Sequence, residues 1–229
     1  MTSAQLLSLL QLSDPTLPIG GFSHSAGLET YVQYGIVKDK VSANEFIRAQ
    51  LAQNLFYTDA AFVSLAYDAA QEKDVWALVR LDAECTAVKL PREMRQASQK
   101  LGLRLLKIFT PHCANSLADA FWKEIESNVA AGHYCVVFGL FASVLNIPKQ
   151  EALSAFFYNA AVGMVTNSVK LIPLGQQDGQ EILFSLHHLI TDLAGKALTP
   201  DRTLIGWCCT GFDLRCMQHE QLYSRLYMS

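Results

Sequence analysis

The sequence predicts an all-α protein, and three observations lead there. Apolar residues recur three and four positions apart over most of the chain, with almost no sustained alternation. Prolines, glycines and capping residues punctuate these runs and leave short connections, as expected between neighbouring antiparallel helices. Hydrophobic residues make up 51% of the 229 positions and charged residues 17%, which is ample for a core and too apolar for a disordered chain. The expected organisation is one helical domain over 1–229, with an N-terminal helix and Pro/Gly loop over 1–22 and a C-terminal tail over 211–229.

Leucines at 6, 7, 9 and 10 mark the first helix. The stretch from Ser13 to Phe22 contains Pro15, Pro18 and the Gly20-Gly21 pair, so its backbone is expected to be irregular and stiff at the prolines. Ser23 reads as a helix cap. Ser42 and Glu45 make a capping box, which starts a helix whose buried stripe is Phe46, Ile47, Leu51 and Leu55. A further run holds Phe62, Leu65 and Ala66, and Asp74 caps the next, with Val75, Leu78, Val79 and Cys85 on one side. Thr110 before Pro111, and Asn146 before Pro148, read as helix starts, because proline in the first turn leaves no amide unpaired. Gly132 and Gly175 read as helix stops. Between them lie helices over 134–145 and 151–169, and another covers 181–198. The one plausible strand is 203–210, followed by a short helix from Phe212.

Little catalytic chemistry is visible. No G-x-x-x-x-G-K-[ST] loop exists, and Gly20-Gly21 with Gly27 does not follow a strand as a dinucleotide site requires. The run from Gly21 to Ser25 lacks the closing glycine of a nucleophile elbow. Neither H-x-x-x-H nor paired E-x-x-H occurs, and the adjacent His187 and His188 point about 100° apart on a helix. Cys216 and His219 have C-x-x-H spacing, half a site for a soft transition metal, so no metal site and no cofactor are assigned. The six cysteines include no C-x-x-C pair and read as buried thiols.

Eighteen basic against 21 acidic residues, a net charge of −3, give no field for wrapping nucleic acid. The longest apolar stretch, 135–145, is shorter than the roughly 20 residues a membrane span takes. The first basic residue is Lys38, so the charged start of a secretory signal is missing and a cytoplasmic location is expected. A surface this poor in charge suits an apolar contact with a partner or a second copy. Lys89, Arg92, Arg95, Lys100, Arg104 and Lys107, interrupted only by Glu93, form a basic helix side opposite Met94, Ala97, Leu101, Leu105 and Ile108. That side is either a solvated face or a docking face for an acidic partner.

Four segments go further. The run from Leu12 to Ser25, with Gly27-Leu28-Glu29, closely resembles the signature of the UreF family of urease accessory proteins. Arg95 to Leu106, Asn167 to Gln176, and the ending from His219 to Ser229 resemble the same family in the same order, with Tyr227 where phenylalanine is usual. The resemblance implies an all-α homodimer without catalytic residues. It also implies binding to the accessory protein UreD, also called UreH, and recruitment of the GTPase UreG. That assembly helps place nickel into the urease apoprotein, with the chain modulating the GTPase.

Glu29 and Lys170 are the charges inside the most family-like motifs, and the resemblance puts them toward the UreG side; an ordinary surface charge is the alternative for each. Arg95, Arg104, His219, Tyr223, Arg225 and Tyr227 complete the expected partner-binding set. Tyrosine and arginine are the types richest in interface hot spots, so the tail is expected to order on binding, and its removal to leave the fold intact. The stiff N-terminal loop meets a partner with little entropy to lose, or caps the core. The rival from another class is an all-α enzyme holding a small ligand or haem between helices, marked by an ionisable residue facing a ligand-sized cavity.

Overall fold

The computed structural model describes residues 1–207 and 209–228, and for Phe22 the backbone alone. The fold is all-α, with no strand among the described residues. Helix α1, Ser3–Leu12, opens with a capping box between Thr2 and Gln5. The Pro/Gly segment then runs as turns into a single 3-10 turn, Gly21–Ser23, and the short α2, Leu28–Gln33. Helix α3, Lys40–Ala49, passes into a π-helical stretch, Gln50–Leu55, before α4, Asp59–Gln71. There follow α5, Val75–Val88; α6, Arg92–Cys113; α7, Ser116–Glu126; and α8, Tyr134–Val144. Helix α9, Lys149–Leu171, leads to α10, Gln176–Ser185, and α11, His187–Lys196, and the last is α12, Thr210–His219.

The centre is α8. Every residue from Cys135 to Ser143 is buried, as a helix apolar on all sides requires. Its most extensive partner is α4, then α6. The first pairing is close because α4 offers alanines and α8 a glycine: a Cβ on Gly139 would lie 2.4 Å from the Val63 carbonyl oxygen and 3.0 Å from Ala66 Cβ. Aromatic rings fill the space around α8, with Phe138 against Phe156 at 5.1 Å and Phe109 against Phe141 at 5.4 Å. Gly139→Ala is therefore expected to cost about 2 kcal/mol by overpacking against backbone. For a chain of this length that is a fall of roughly 4–8 °C in Tm, measurable by calorimetry.

Several boundaries differ from the sequence reading. Helix α3 starts earlier, because Asp39 is the cap: it accepts from the Ser42 amide at 2.9 Å, and Ser42 serves as the third residue of that box. Pro111 does not start a helix but sits in the last turn of α6, where one lost hydrogen bond is tolerated; Asn115 caps α7 instead, accepting from Leu117 and Ala118. Leu55 is only half-buried. Gly132 is left-handed at φ 75°, but directly ahead of α8 rather than at the end of α7. Gly175, at φ −72°, begins α10.

The expected helix over 181–198 is two, divided at Leu186, whose side chain is fully buried. The expected strand over 203–210 is replaced by a 3-10 turn, Arg202–Leu204, and a bond from the Gly206 amide to the Tyr57 carbonyl of 2.8 Å; Cys208 lies outside the described residues. Ser23 caps no α-helix: it closes the 3-10 turn, its hydroxyl donating to the Gly20 carbonyl at 2.8 Å. Asp74 does cap α5, accepting from the Ala77 amide at 2.9 Å.

Candidate functional site

The four family-like segments, distant in the chain, meet around the N-terminal loop. Gly27 starts α2 with φ +80°, and a Cβ there would lie 2.7 Å from Cys216 Sγ and 3.2 Å from a Phe212 ring carbon. Only glycine lets α12 pack this closely while turning the chain into α2. That contact places Glu29, in the first turn of α2, against the end of α12, with 2% of its surface exposed.

A buried carboxylate must be paired and hydrogen-bonded, and Glu29 is both. Its Oε2 lies 3.2 Å from His219 Nε2 and accepts the Tyr227 amide N–H at 3.2 Å, while Oε1 accepts the Leu226 amide N–H at 2.8 Å. His219 is fully buried, and its Nδ1 lies 2.7 Å from Glu93 Oε2 in the first turn of α6. The other Glu93 oxygen takes Arg225 Nη1 at 2.8 Å. Beyond this core, the Met228 amide donates to the Ser23 carbonyl at 2.9 Å and Gln33 Nε2 to the Ser224 carbonyl at 3.1 Å.

The other two segments hold the loop from below. Arg104 Nη1 donates to the Ile19 carbonyl at 2.8 Å, and Asn167 Nδ2 to the His24 carbonyl at 2.9 Å. Burial, followed by the charges of Lys100 and Arg104, holds the His24 pKa below the ordinary imidazole value.

This geometry corrects two expectations and qualifies a third. Glu29 is not a surface charge but the acceptor on which the tail is fastened. The tail is already ordered against its own chain: Tyr227 is buried there, while Tyr223, Leu226 and Met228 stay exposed. The basic run ahead of and along α6 is only partly spent internally. Lys89 is buried on Asp59 at 2.8 Å, Arg92 pairs with Glu220 at 2.6 Å, and Arg95 donates to the carbonyls of Lys89 and Leu90. Arg92, Lys100, Arg104 and Lys107 remain exposed on that helix, so the face stays open to solvent or to an acidic partner. Lys170 is exposed in the last turn of α9, outside the Glu29 network.

Glu93 was absent from the expected site, although it is the single acid inside the basic run; Asn167 was visible only as part of a motif. Cys216 and His219 do not form half a metal site, since both ring nitrogens face carboxylates and Cys216 lies buried under Gly27. Burial, with the charges of Asp213 and Glu93, pushes the Cys216 thiol well up. Among the described residues, no group of three or more His, Cys, Asp or Glu is arranged to hold a metal ion.

A cavity of about 450 Å³ does exist between the helices, lined among others by His24, Gln50, Asp59, Lys89 and Tyr134. Its size suits a small ligand. Two of its charges, Asp59 and Lys89, are paired with each other at 2.8 Å: burial raises the Asp59 pKa, but Lys89 outweighs it and holds the carboxyl below its usual range. No helix among the described residues is long and apolar enough to cross a membrane.

Comparison with known proteins agrees with the motifs. The UreF family model matches residues 37–187. The urease accessory protein UreF of Actinobacillus pleuropneumoniae serotype 3 (strain JL03) is 49% identical over 225 residues, covering 98% of this chain and 99% of the relative. That of Haemophilus influenzae (strain PittGG) is 47% identical over 222 residues, covering 97% and 94%. The more distant UreF of Lachnoclostridium phytofermentans is 34% identical over 224 residues, covering 98% of each chain. These relatives are named as accessory proteins rather than enzymes. With the family model matching most of its length and the relatives nearly all of it, this chain belongs to the UreF family.

Proposed function

We propose that this chain is a non-enzymatic accessory protein of the cytoplasm. It assembles with UreD/UreH and the GTPase UreG and, through that complex, presents nickel to the urease apoprotein. The carrying observation is the junction just described. Four separated segments are spent on building one loop-and-tail surface, and its buried Glu29 and His219 bond to each other, to Glu93 and to the tail. Such a surface is built to be shown to a partner, with Tyr223 and Leu226 projecting from a tail that no longer pays ordering entropy on binding.

In this reading Lys170 contributes an accessible charge on the UreG side. Coupling to UreG acts through binding energy, which shifts the nucleotide equilibrium of the GTPase rather than adding a catalytic group. A second copy of the chain would cover exposed apolar side chains such as Leu6, Leu7 and Leu10, in a two-fold interface on the order of 1,600 Å².

The test is co-purification of tagged chain with UreD and UreG, with nickel measured on each complex. Tyr223→Ala and Leu226→Ala remove exposed side chains, so they should leave the melting temperature within about 1–2 °C while weakening partner capture by tenfold or more. Lys170→Ala should reduce UreG recruitment while UreD remains bound. Undiminished capture and urease activation in all three variants would refute the assignment of this surface.

A further inference from the structure

Away from the loop-and-tail junction, two buried thiols face each other where α5 meets α8. Cys85 and Cys135 are both fully buried, and their sulfurs lie 3.5 Å apart. This approach is enforced by its surroundings. Asp82, one turn before Cys85 on α5, is 1% exposed and accepts the amide N–H groups of Ala131 at 2.5 Å, Gly132 at 3.2 Å and His133 at 2.7 Å. The segment entering α8 is therefore clamped to α5 two residues before Cys135. The fully buried His133 adds a second clamp, with Nε2 2.9 Å from Thr86 Oγ1 and Nδ1 3.1 Å from Ser98 Oγ. Two thiols pinned in register at 3.5 Å need little further movement to reach the bonded separation of about 2.0 Å.

We propose that Cys85 and Cys135 are an oxidisable dithiol that a peroxide closes to an intramolecular disulfide between α5 and α8, with Cys85 as the attacking sulfur and Cys135 as the resolving one. In the first step the Cys85 thiolate attacks one peroxide oxygen. The O–O bond breaks, and Cys85 becomes a sulfenic acid as the leaving hydroxide takes a proton to form water. In the second, the Cys135 sulfur attacks Cys85, the S–O bond breaks, and the departing hydroxide takes the Cys135 proton to leave as a second water. Two thiols and one peroxide thus give one disulfide and two waters.

The asymmetry follows from the environment. Burial disfavours the Cys85 thiolate, but hydrogen bonds with Cys135 and His133 and the charge of Lys89 outweigh it and hold its pKa below the ordinary thiol value. The Cys135 thiol is pushed up by burial and by Cys85 beside it. Neither sulfur lines the 450 Å³ cavity, so a peroxide reaches them by local opening; the cavity wall comes nearest through Lys89, whose charge acts on both sulfurs, and Tyr134, the chain neighbour of Cys135.

The experiment treats reduced full-length protein with hydrogen peroxide, blocks remaining thiols in denaturant, and maps non-reduced peptides. The expected result is a linked Cys85–Cys135 peptide, loss of two of the six thiols, and recovery of both with dithiothreitol. In Cys135→Ser, Cys85 should accumulate as a sulfenic acid that dimedone labels; in Cys85→Ser, Cys135 should label at least tenfold less. Peroxide consumption at Cys113 or Cys209 while Cys85 and Cys135 are recovered as free thiols overturns the proposal, in the wild-type chain and independently of how the variants fold. Equal labelling in the two variants overturns the assignment of attacking and resolving sulfurs.

Discussion

Glu29→Ala should lower the melting temperature by roughly 10 °C and free the C-terminal tail in the same step. The carboxylate is 2% exposed and gathers His219 and the Leu226 and Tyr227 amides, so its loss removes the partner of the buried His219 Nε2 and of both tail amides. Breaking a buried pair of this kind costs about 3–5 kcal/mol, and each degree of Tm in a chain this long corresponds to a few tenths of a kcal/mol. The local readout is hydrogen exchange: the Leu226 and Tyr227 amides should lose protection, whereas amides in α8 should lose only what the global stability loses. Glu29→Gln keeps the shape and one acceptor oxygen, and should fall between wild type and alanine. A Glu29→Ala protein that melts within about 2 °C of wild type with the tail still protected would show that the tail is held by Tyr227 and Arg225 instead. The same buried network means that removing residues 223–229 should itself destabilise the chain, so exposed-residue variants are the cleaner probe of partner binding.

Asp82→Ala should be the most damaging single substitution where α5 meets α8. Three consecutive backbone N–H groups end on that one carboxylate, and two of these bonds, from Gly132 and His133, are buried. Hydrogen bonds to a charged acceptor contribute about 1.5–3 kcal/mol each, and stranded buried donors add their desolvation cost, so a loss of about 4 kcal/mol is expected. Urea unfolding should show this as a lower midpoint at unchanged slope. Asp82→Asn retains one acceptor oxygen but turns a donor toward donors, so it should recover only part of the loss. A midpoint shift worth less than about 1 kcal/mol in Asp82→Ala would mean that the 131–133 segment is held by the His133 ring contacts alone.

The amino-acid order by itself determined what depends on neighbours within one or two turns. The all-α class, the Asp74 cap, the buried stripe of Phe46, Ile47 and Leu51, and the fully apolar α8 are all local, because a helix repeats every 3.6 residues and its caps act over three. The motifs of the N-terminal loop and the tail were legible too, as residue types in an unusual order.

Tertiary structure decided the rest. It carried α6 through Pro111, divided the helix over 181–198 at the buried Leu186, and turned 202–204 into a 3-10 turn, since packing outweighs the fractions of a kcal/mol in local preference. It also reversed the meaning of charge. Glu29 reads as a surface charge because charged residues are rarely buried unless paired, and its partner is remote: His219 is 190 positions away. Charge and residue type are local properties, but whether a charge faces water or a buried partner depends on how distant segments pack, so only the folded chain shows it.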